Sequence, residues 1–572
     1  MFTSTFKNKI IFHFSFLCIS IILAAVIFFP IFQSKEIIIP YFFTPFNICE
    51  KFPDIWHLIK FLYIIFFILA FSIYSHFIYS FIFSKKSKSN SLKEYNKIPK
   101  DSLYLKIGID ENNLPLYIPR SSLYQNILIT GTIGSGKTSS AIYPFTKQLI
   151  SYNCENQTEK IGMLILDVKG NYYKQVINYA KMFDREEDLN IIELNGSVKY
   201  NPLNKPNLKP TVLANRLKTI LTLFSKNNSE SYWLDKAEQV LAECIKLCRL
   251  YNDGYVTFIE LHKLITDSNY YLEKIKFLKE KFISGKFTTS NVHDLLSSLE
   301  FFEKEFTQLD SRTSSILKSE ITRITGCFIS DYEVKKTFCP SKDEINFYGF
   351  EDLINSGKIV VLNMNISVYR NLSKIIAAYL KLDFQTDVMT RLSSSNLNQN
   401  RSVCFICDEY HEFVTDTDAN FYSQSREAKC INIVATQSYT SLLNSIGNQY
   451  TVRVIVQSLI NKLWFRTDDT FTIEDAQKQI GKEDKIKESK SISENSKETN
   501  YNYLTNTFSS NNSTISESIN SYTQTDYIFD TNFFTQKLET FSCLSFLSTG
   551  NDIIPPQKLK LIPYFLQEKK SV

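Results

Sequence analysis

The chain has 572 residues, which at roughly 150 per domain suggests about three or four units, and 44% of them are hydrophobic. That supports a sizeable core and excludes wholesale disorder, while a net charge of +5, from 64 basic and 59 acidic residues, excludes a protamine-like nucleic-acid binder. The 11 cysteines form no dense framework in so long a chain, which excludes a small disulfide-stapled secreted protein.

Ile10 to Phe32 is a run of 23 residues without Lys, Arg, Asp or Glu. At about 1.5 Å per residue it suffices to span a hydrocarbon layer about 30 Å thick. Phe61 to Phe83 is a second such run of 23. The first could be read as a signal peptide, since Lys7 and Lys9 resemble a basic n-region. Its apolar run exceeds the usual span of about 7–15 residues and no clear small-x-small cleavage site follows, so a retained anchor is expected. The second could be a buried core helix, but its similar neighbour favours a membrane span. Lys7 and Lys9 precede the first run, and Lys85, Lys86, Lys88 and Lys93 follow the second. Between them Lys35, Lys51 and Lys60 are balanced by Glu36, Glu50 and Asp54. This bias predicts that both ends face the cytoplasm, with nearly everything after residue 84 on that side. Cys49 then has no partner on the outer side.

Residues 84–100 read as a basic linker. Residues 101–130 alternate like strands, with Asp110-Glu111-Asn112-Asn113 as a turn. Short apolar runs then recur at Asn126–Thr130, Met163–Leu166, Ile359–Met364, Val403–Cys407, Ile431–Ala435 and Leu463–Phe465. Many are separated by helix-length segments, the pattern of buried parallel strands in an α/β sheet. Between 208 and 340 the strand signal fades. Trp233, Ala237, Val240, Leu241, Cys244, Leu247 and Cys248 share one helix face, and Tyr270–Lys281 and Val292–Phe306 continue the helical pattern, which predicts an inserted helical domain. Lys482 to about Thr525 is rich in Ser, Asn, Lys, Glu and Thr, which predicts a flexible segment. Apolar residues return from Tyr527, where the chain is expected to rejoin the folded body.

Gly131-Thr132-Ile133-Gly134-Ser135-Gly136-Lys137-Thr138 fits G-x-x-x-x-G-K-[ST], and holds three of only 15 glycines. Glycines let the backbone curl so that successive N–H groups meet phosphate oxygens, and the following helix adds its positive end. Lys137 would bridge the β- and γ-phosphates and the Thr138 hydroxyl would bind Mg2+. Such a loop needs a second acid for the metal and a base for water. Two apolar strands end in Asp. Asp167 is followed by Val168 and Lys169, and Asp408 by Glu409. The second suits hydrolysis better, with Asp408 in the metal shell and Glu409 polarising the attacking water. Asp167 is left a secondary role. Gln437, at the end of the Ile431–Ala435 strand, is a candidate γ-phosphate sensor or simply a helix cap. Arg426 is a candidate arginine finger in a ring or a solvated arginine. Cys404 and Cys407 read as buried thiols rather than a metal pair. His411-Glu412 lacks the second histidine of a zinc-protease motif.

In order and spacing these motifs resemble the type IV secretion coupling proteins, the TraD/TraG group of the FtsK/HerA-like translocases. The likeness takes in the two N-terminal runs, the loop 131–138, Pro144, Leu166-Asp167-Val168-Lys169-Gly170 and Asn201-Pro202-Leu203. It continues through Tyr232-Trp233 with Ala237, Asp408-Glu409, and Arg426 through Ala435-Thr436-Gln437-Ser438. A departure is Thr132-Ile133, where the family often carries Pro-Thr; it touches only the flank of the loop. The resemblance implies a RecA-like P-loop domain with an inserted all-α domain, preceded by two transmembrane helices. The divisions are a membrane anchor at 1–84, with spans at about 10–32 and 61–83, a first nucleotide-domain part at 85–207 and the all-α insertion at 208–340. A second nucleotide-domain part at 341–481, the flexible segment 482–525 and a rejoining segment 526–572 complete them. It implies a homo-hexamer at the bacterial inner membrane, using ATP and Mg2+, that passes relaxase-bound single-stranded DNA or effector proteins to a type IV secretion channel. The nucleotide would be held by Gly131, Thr132, Gly134, Ser135, Gly136, Lys137 and Thr138, and the metal by Thr138 and Asp408. Lys137, Glu409, Gln437 and Arg426 would carry catalysis. The alternatives are an FtsK-like DNA translocase, against which only two spans are found, and a non-hydrolysing nucleotide-binding receptor, which would not need Glu409.

Overall fold

The computed structural model describes residues 103–568 except 225–230, 286, 496–500, 503, 505–506 and 509–513, with isolated positions 54, 58, 61, 65, 69, 98 and 99. The expected spans 10–32 and 61–83 fall outside the described residues, save for three of those positions. Among the described residues no helix is long and apolar enough to cross a membrane.

Two short strands open the described chain, β1 (Tyr104–Ile109) and β2 (Pro115–Pro119). Their inward and outward residues alternate, as in a sheet with one wet face. The turn between them is tied by the Asp110 carboxylate, which accepts from the N–H groups of Asn112 and Leu114 at 2.9 and 2.8 Å. The apolar runs then fold as β3 (Ile127–Thr130), β4 (Gly162–Leu166), β5 (Leu189–Ile192), β6 (Ile359–Leu362), β7 (Val403–Cys407), β8 (Cys430–Thr436) and β9 (Asn461–Phe465). Every residue of β3, β4, β6, β7, β8 and β9 is buried, which explains why they read as continuous apolar runs rather than alternations. They pair in parallel, in the order β9-β3-β8-β7-β4-β6-β5. Parallel neighbours need long crossovers, supplied by helices such as α1 (Tyr143–Ser151) after β3 and α2 (Tyr172–Met182) after β4. The expected α/β class with a parallel sheet is therefore the observed one.

The starts of the central strands are pinned by buried amides. Asn126, just before β3, accepts from Asn432 Nδ2 at 2.7 Å and donates to the carbonyls of Tyr422 and Ser458 at 3.2 and 3.1 Å. Asn461, at the start of β9, donates to the carbonyls of Asn126 and Ser122 at 3.0 and 2.9 Å. Buried polar groups that are fully paired specify a unique arrangement, and here they fix the register of β3 against β8 and β9.

Between β5 and β6 the described chain runs through eight α-helices, α3 (Pro210–Thr222), α4 (Ser231–Tyr251), α5 (Phe258–Thr266), α6 (Ser268–Ile283), α7 (Thr289–Glu300), α8 (Ser311–Thr325), α9 (Tyr332–Phe338) and the short helix Glu351–Ser356. Thr257, Asp267, Thr288, Asp310 and Asp331 accept backbone N–H bonds at the starts of α5 to α9, relieving donors that a helix leaves free. The buried face of α4 carries Ala237, Val240, Leu241, Cys244, Leu247 and Cys248. Back in the sheet layer, α10 (Asn371–Thr390) follows β6 and α11 (Asp418–Gln424) follows β7; α12 (Tyr439–Ile446) and α13 (Gln449–Ser458) follow β8, and α14 (Thr470–Ile480) follows β9.

Within the segment 482–525, expected to be flexible, β10 (Lys482–Asn495) pairs antiparallel with β13 (Thr514–Tyr527) over fourteen register positions, and β11 (Tyr501–Asn502) pairs with β12 (Thr507–Phe508). Among the described residues of this segment Ile486, Ile519 and Tyr522 are exposed. Threonines and cross-strand charge pairs, such as Lys487 with Asp526 at 2.7 Å, nevertheless suit a ribbon. Beyond it β14 (Ser542–Ser548) and β15 (Ile553–Lys560) add antiparallel to β9 and carry the sheet on to β1 and β2.

A buried charge cluster ties the entry of the helical insertion to α10. Asp383 is fully buried and accepts from Lys205 at 2.7 Å, Arg216 at 2.8 Å and Tyr200 at 2.9 Å. Asp383→Ala leaves the buried Arg216 without its carboxylate partner and Lys205 with the Tyr348 carbonyl at 2.8 Å and Asp387 at 3.9 Å, with an expected loss of about 3–5 kcal/mol. Its neighbour Asp387 behaves oppositely. Burial, then the proximity of Asp383, pushes its carboxyl from 3.8 up to about 6. The folded state thus disfavours the charged form, so the contribution of Asp387 is full below its unfolded value and lost as pH rises toward 6. Asp387→Asn is expected to stabilise the chain by about 1–3 kcal/mol at pH 7 and not at pH 4. Urea-unfolding midpoints of the two variants at both pH values check this.

Candidate nucleotide-binding site

Four parallel strands end side by side, and a chemically loaded residue follows each end. Gly131 follows β3, Gln437 follows β8, Asp408 follows β7 and Asp167 follows β4. Thr130 pairs with Thr436 and Cys407 with Leu166. The register carries past the strands, since Gly131 N donates to Gln437 O at 3.2 Å and Asp408 N to Leu166 O at 3.2 Å. The carboxyl ends of parallel strands are where such folds bind ligands.

The loop 131–138 curls through positive φ at Gly134 (+77°) and Gly136 (+98°). A Cβ at Gly136 would meet the Phe541 ring at 2.4 Å, so that position demands glycine both by conformation and by space. Ser135 Oγ donates to Thr132 O at 2.7 Å, and Thr132 Oγ1 to Arg466 O at 3.1 Å. After Lys137 the chain enters a wide π-type turn, Thr138–Ile142, continuous with α1. Pro144 accounts for the widening, because a proline inside a helix removes one ladder bond and crowds the carbonyl of residue 140.

Lys137 is buried, and its ammonium donates to the carbonyls of Gly131 at 2.5 Å and Thr132 at 3.2 Å. Burial lowers its pKa, partly opposed by Glu409 and Asp408. Thr138 Oγ1 donates to Asp408 Oδ2 at 2.9 Å. Asp408 is buried, which raises its pKa against the pull of Lys169. Gln437 Nε2 donates to Glu409 Oε2 at 3.3 Å. Ten of the eleven sequence-predicted residues thus converge, with Gly131, Thr132, Gly134, Ser135, Gly136, Lys137 and Thr138 on one wall and Asp408, Glu409 and Gln437 on the other. Arg426 does not join them. It is exposed in the turn between α11 and β8, at the opposite end of β8 from Gln437.

The structure adds residues that the motifs did not single out. Lys169 Nζ lies 3.7 Å from Asp408 Oδ2 and 3.4 Å from Glu409 Oε1. Burial would pull this ammonium down, but Asp408 and Glu409 outweigh it and hold its pKa above the ordinary value. Asp167, given a secondary role, accepts from the N–H groups of Lys169, Asn171 and Tyr172 at 3.0 to 3.1 Å, shaping the loop that presents Lys169. Glu409 has φ +52°, an unusual conformation for this residue type. It is held from behind, where the Tyr410 hydroxyl and Lys381 Nζ both donate to Asp418 Oδ2 at 2.6 Å, and Lys381 also donates to Phe413 O at 2.7 Å. Phe541, at φ +64°, donates its N–H to Ser135 O at 3.1 Å. His411 Nδ1 lies 3.2 Å from Thr436 Oγ1, and burial lowers its pKa against the pull of Glu409 and Glu412.

These residues fit a nucleotide triphosphate with a hard divalent cation. Thr138 and Asp408 form an oxygen pair beside the loop, and the acids already accommodate one cation, the Lys169 ammonium. Mg2+ is bound through one or two carboxylates together with phosphates and waters rather than by an all-protein cage.

Two family models match the chain. One is described as the type IV secretion-system coupling protein DNA-binding domain and covers residues 113–299; the other is described as the TraM recognition site of TraD and TraG and covers residues 402–525. Among solved structures, the unbound monoclinic form of the bacterial conjugative coupling protein TrwBdeltaN70 is 13% identical, with a TM-score of 0.53 over 83% of this chain and 91% of that one. The plasmid coupling protein TrwB with the non-hydrolysable GTP analogue GDPNP is 12% identical, with a TM-score of 0.53 over 83% and 92%. TrwB with ADP and Mg2+ is 12% identical, with a TM-score of 0.53 over 83% and 91%. At such identity the likeness is one of fold. No curated protein matches.

Gly136→Ala tests the loop. The left-handed φ and the Phe541 ring together are expected to weaken nucleotide binding by about a hundredfold or more, some 3 kcal/mol. Gly285→Ala also sits at positive φ (+70°) but has no neighbour within 4 Å, and is expected to leave affinity unchanged. Isothermal titration of both variants with a non-hydrolysable analogue gives the comparison.

Proposed function

Because the chain belongs to the type IV secretion-system coupling proteins, we propose that it is an ATPase that recruits single-stranded DNA with its relaxase, or protein effectors, and drives them into a secretion channel. The observation that carries the catalytic reading is the meeting of Thr138, Asp408, Glu409 and Gln437 at the ends of adjacent parallel strands. Relatives of the same fold solved with GDPNP and with ADP and Mg2+ support ATP and Mg2+ as the ligands here. The two apolar runs at 10–32 and 61–83 support anchoring in a bacterial inner membrane, with the bulk of the chain in the cytoplasm.

In this reading the backbone N–H groups of the loop hold the phosphates, and Lys137 exchanges the Gly131 and Thr132 carbonyls for β- and γ-phosphate oxygens. Thr138 and Asp408 would hold Mg2+, which neutralises phosphate charge when bound. Glu409 orients a water and takes its proton as the water oxygen bonds to the γ-phosphorus and the bond to the β-bridging oxygen breaks. Gln437, already bonded to Glu409, presents its amide to the same phosphate. Lys169 offers a second cation to the charge that develops there.

Arg426 reaches no residue of its own site. We assign it to the neighbouring site of a homo-hexamer, where an arginine finger supplied in trans stabilises transferring phosphate. Its place at the far end of β8, on the order of 20 Å from Gln437 at about 3.3 Å per residue, supports that division of labour.

Glu409→Gln is expected to keep ATP binding and lose about a hundredfold or more in turnover, while Lys137→Ala loses both binding and turnover. The check is the ATPase rate of the full chain with and without single-stranded DNA. Unchanged turnover in Glu409→Gln removes it as the base, and a rate indifferent to DNA shifts the cargo to protein effectors. Arg426→Ala is expected to bind nucleotide normally and to lose about a thousandfold in turnover. Mixing it with Lys137→Ala should restore part of the rate, because the intact site of one then meets the intact arginine of the other; no recovery in mixed rings defeats the trans assignment.

A further inference from the structure

A second cleft lies between α13 and α14, with β9 as its floor and a volume of about 640 Å3. That is the size of a small-molecule site. Lys462 stands in the floor, 2% exposed, in a strand whose next residues are Leu463, Trp464 and Phe465. Its register partner is Phe546, whose ring centre is 5.9 Å from the ammonium. Among the described residues the Lys462 ammonium has no hydrogen-bond or ion-pair partner. Buried charges are ordinarily paired, since an isolated one loses its hydration without return.

The remaining charges of the cleft show what is lacking. Lys478 and Glu474 pair with each other at 3.3 Å. That leaves Lys462 and Arg453 against Asp475 alone. Three cations, Arg453, Lys462 and Lys478, thus face two acids, Glu474 and Asp475, and the cleft has an excess of positive charge. We propose that this cleft binds an oxyanion, the carboxylate or phosphate monoester of a small molecule, with Lys462 at the floor and Arg453 on the wall as its two cations. A guanidinium and an ammonium at the same site give such a group charge-assisted hydrogen bonds. Burial holds the Lys462 amine down at about 8, which also makes it chemically addressable.

The cleft shares no residue with the nucleotide loop, yet it backs onto it. Tyr439 lines the cleft and lies two residues past Gln437, and its hydroxyl accepts from Trp464 Nε1 at 3.0 Å. Trp464 pairs with Thr130, the residue before Gly131.

Pyridoxal 5′-phosphate is a suitable probe because it carries both a phosphate monoester and an aldehyde. The Lys462 amine adds to the aldehyde carbon, water leaves to give an imine, and borohydride reduces the imine to a stable secondary amine. The full chain is treated at pH 8 with excess ATP and Mg2+ to cover Lys137, and labelled lysines are found by peptide mass mapping, which separates failure of that cover from the result at Lys462. Lys462 is expected to label on the order of tenfold or more faster than Lys304, an exposed lysine outside the cleft. Inorganic phosphate or acetate should slow labelling of Lys462 and not of Lys304, and whichever protects better identifies phosphate or carboxylate as the preferred group. Arg453→Gln should still label at Lys462 but lose about tenfold in protection. Labelling of Lys462 no faster than Lys304, or unaffected by either anion, overturns the proposal; protection undiminished in Arg453→Gln overturns the two-cation site.

Discussion

Everything at the candidate site depends on the register of three parallel strands. A one-residue slip in a strand sends its whole side-chain set to the other face. In β3, β8 and β7 it would also move a catalytic candidate by about 3.3 Å, more than a hydrogen bond tolerates. Apolar runs such as Ile127–Thr130 and Val403–Cys407, buried on both faces, cannot supply that precision, because one methyl-lined surface slides on another at little cost. Directional bonds supply it instead. Asn126, Asn432 and Asn461 are buried at the starts of the strands, where their amides bond to each other and to backbone. The chemistry-bearing ends of β3 and β8 are thereby aligned from the opposite ends of those strands.

The same division recurs behind the acids. Asp408 and Glu409 are buried acids, and the surroundings meet them with a cation and directed bonds. Lys169 faces the acids from one side. Lys381, Asp418 and Tyr410 form a closed, fully buried network on the other, which keeps the turn after β7 in the left-handed conformation of Glu409. Such a network is worth little as net stability, since desolvation offsets most of the attraction. Its value is positional, and it fixes a backbone conformation that local sequence would not choose.

The legible part of the fold was what local pattern determines. Continuous apolar runs announced the buried strands, period-3.6 spacing in α4 announced its buried face, and the glycines of 131–138 announced a loop that needs positive φ. Asp408, Glu409 and Gln437 were legible because each follows directly on a strand end. What was not legible is held by contacts distant in sequence. Lys381 and Asp418 lie on different helices, 37 residues apart, and neither stands in a motif. Phe541 reaches Ser135 from the far end of the chain. Lys169 stood in view beside Asp167, but only the tertiary fold turns it toward a carboxylate pair on another strand. The pairing of β10 with β13 was not legible in the composition of 482–525, because a ribbon needs backbone complementarity and cross-strand pairs, which composition does not measure.

The antiparallel extension of the sheet shows how late-sequence elements constrain an early loop. β14 pairs with β9, which in turn pairs with β3, so the C-terminal strands are clamped to the strand that leads into the phosphate loop. Phe541, just before β14, is forced into the left-handed region by this return path. There its N–H meets the Ser135 carbonyl, its carbonyl accepts from Leu561 at 2.8 Å, and its ring meets that of Phe565 at 6.1 Å. The loop between Gly131 and Thr138 is consequently bounded by β8 through Gln437, by the Arg466 carbonyl after β9, and by Phe541 over Gly136. A loop rich in glycine has most of its freedom in the unfolded chain. These three neighbours restrict that freedom in the folded chain, so that N–H groups able to meet phosphate are set by the sheet before any phosphate arrives.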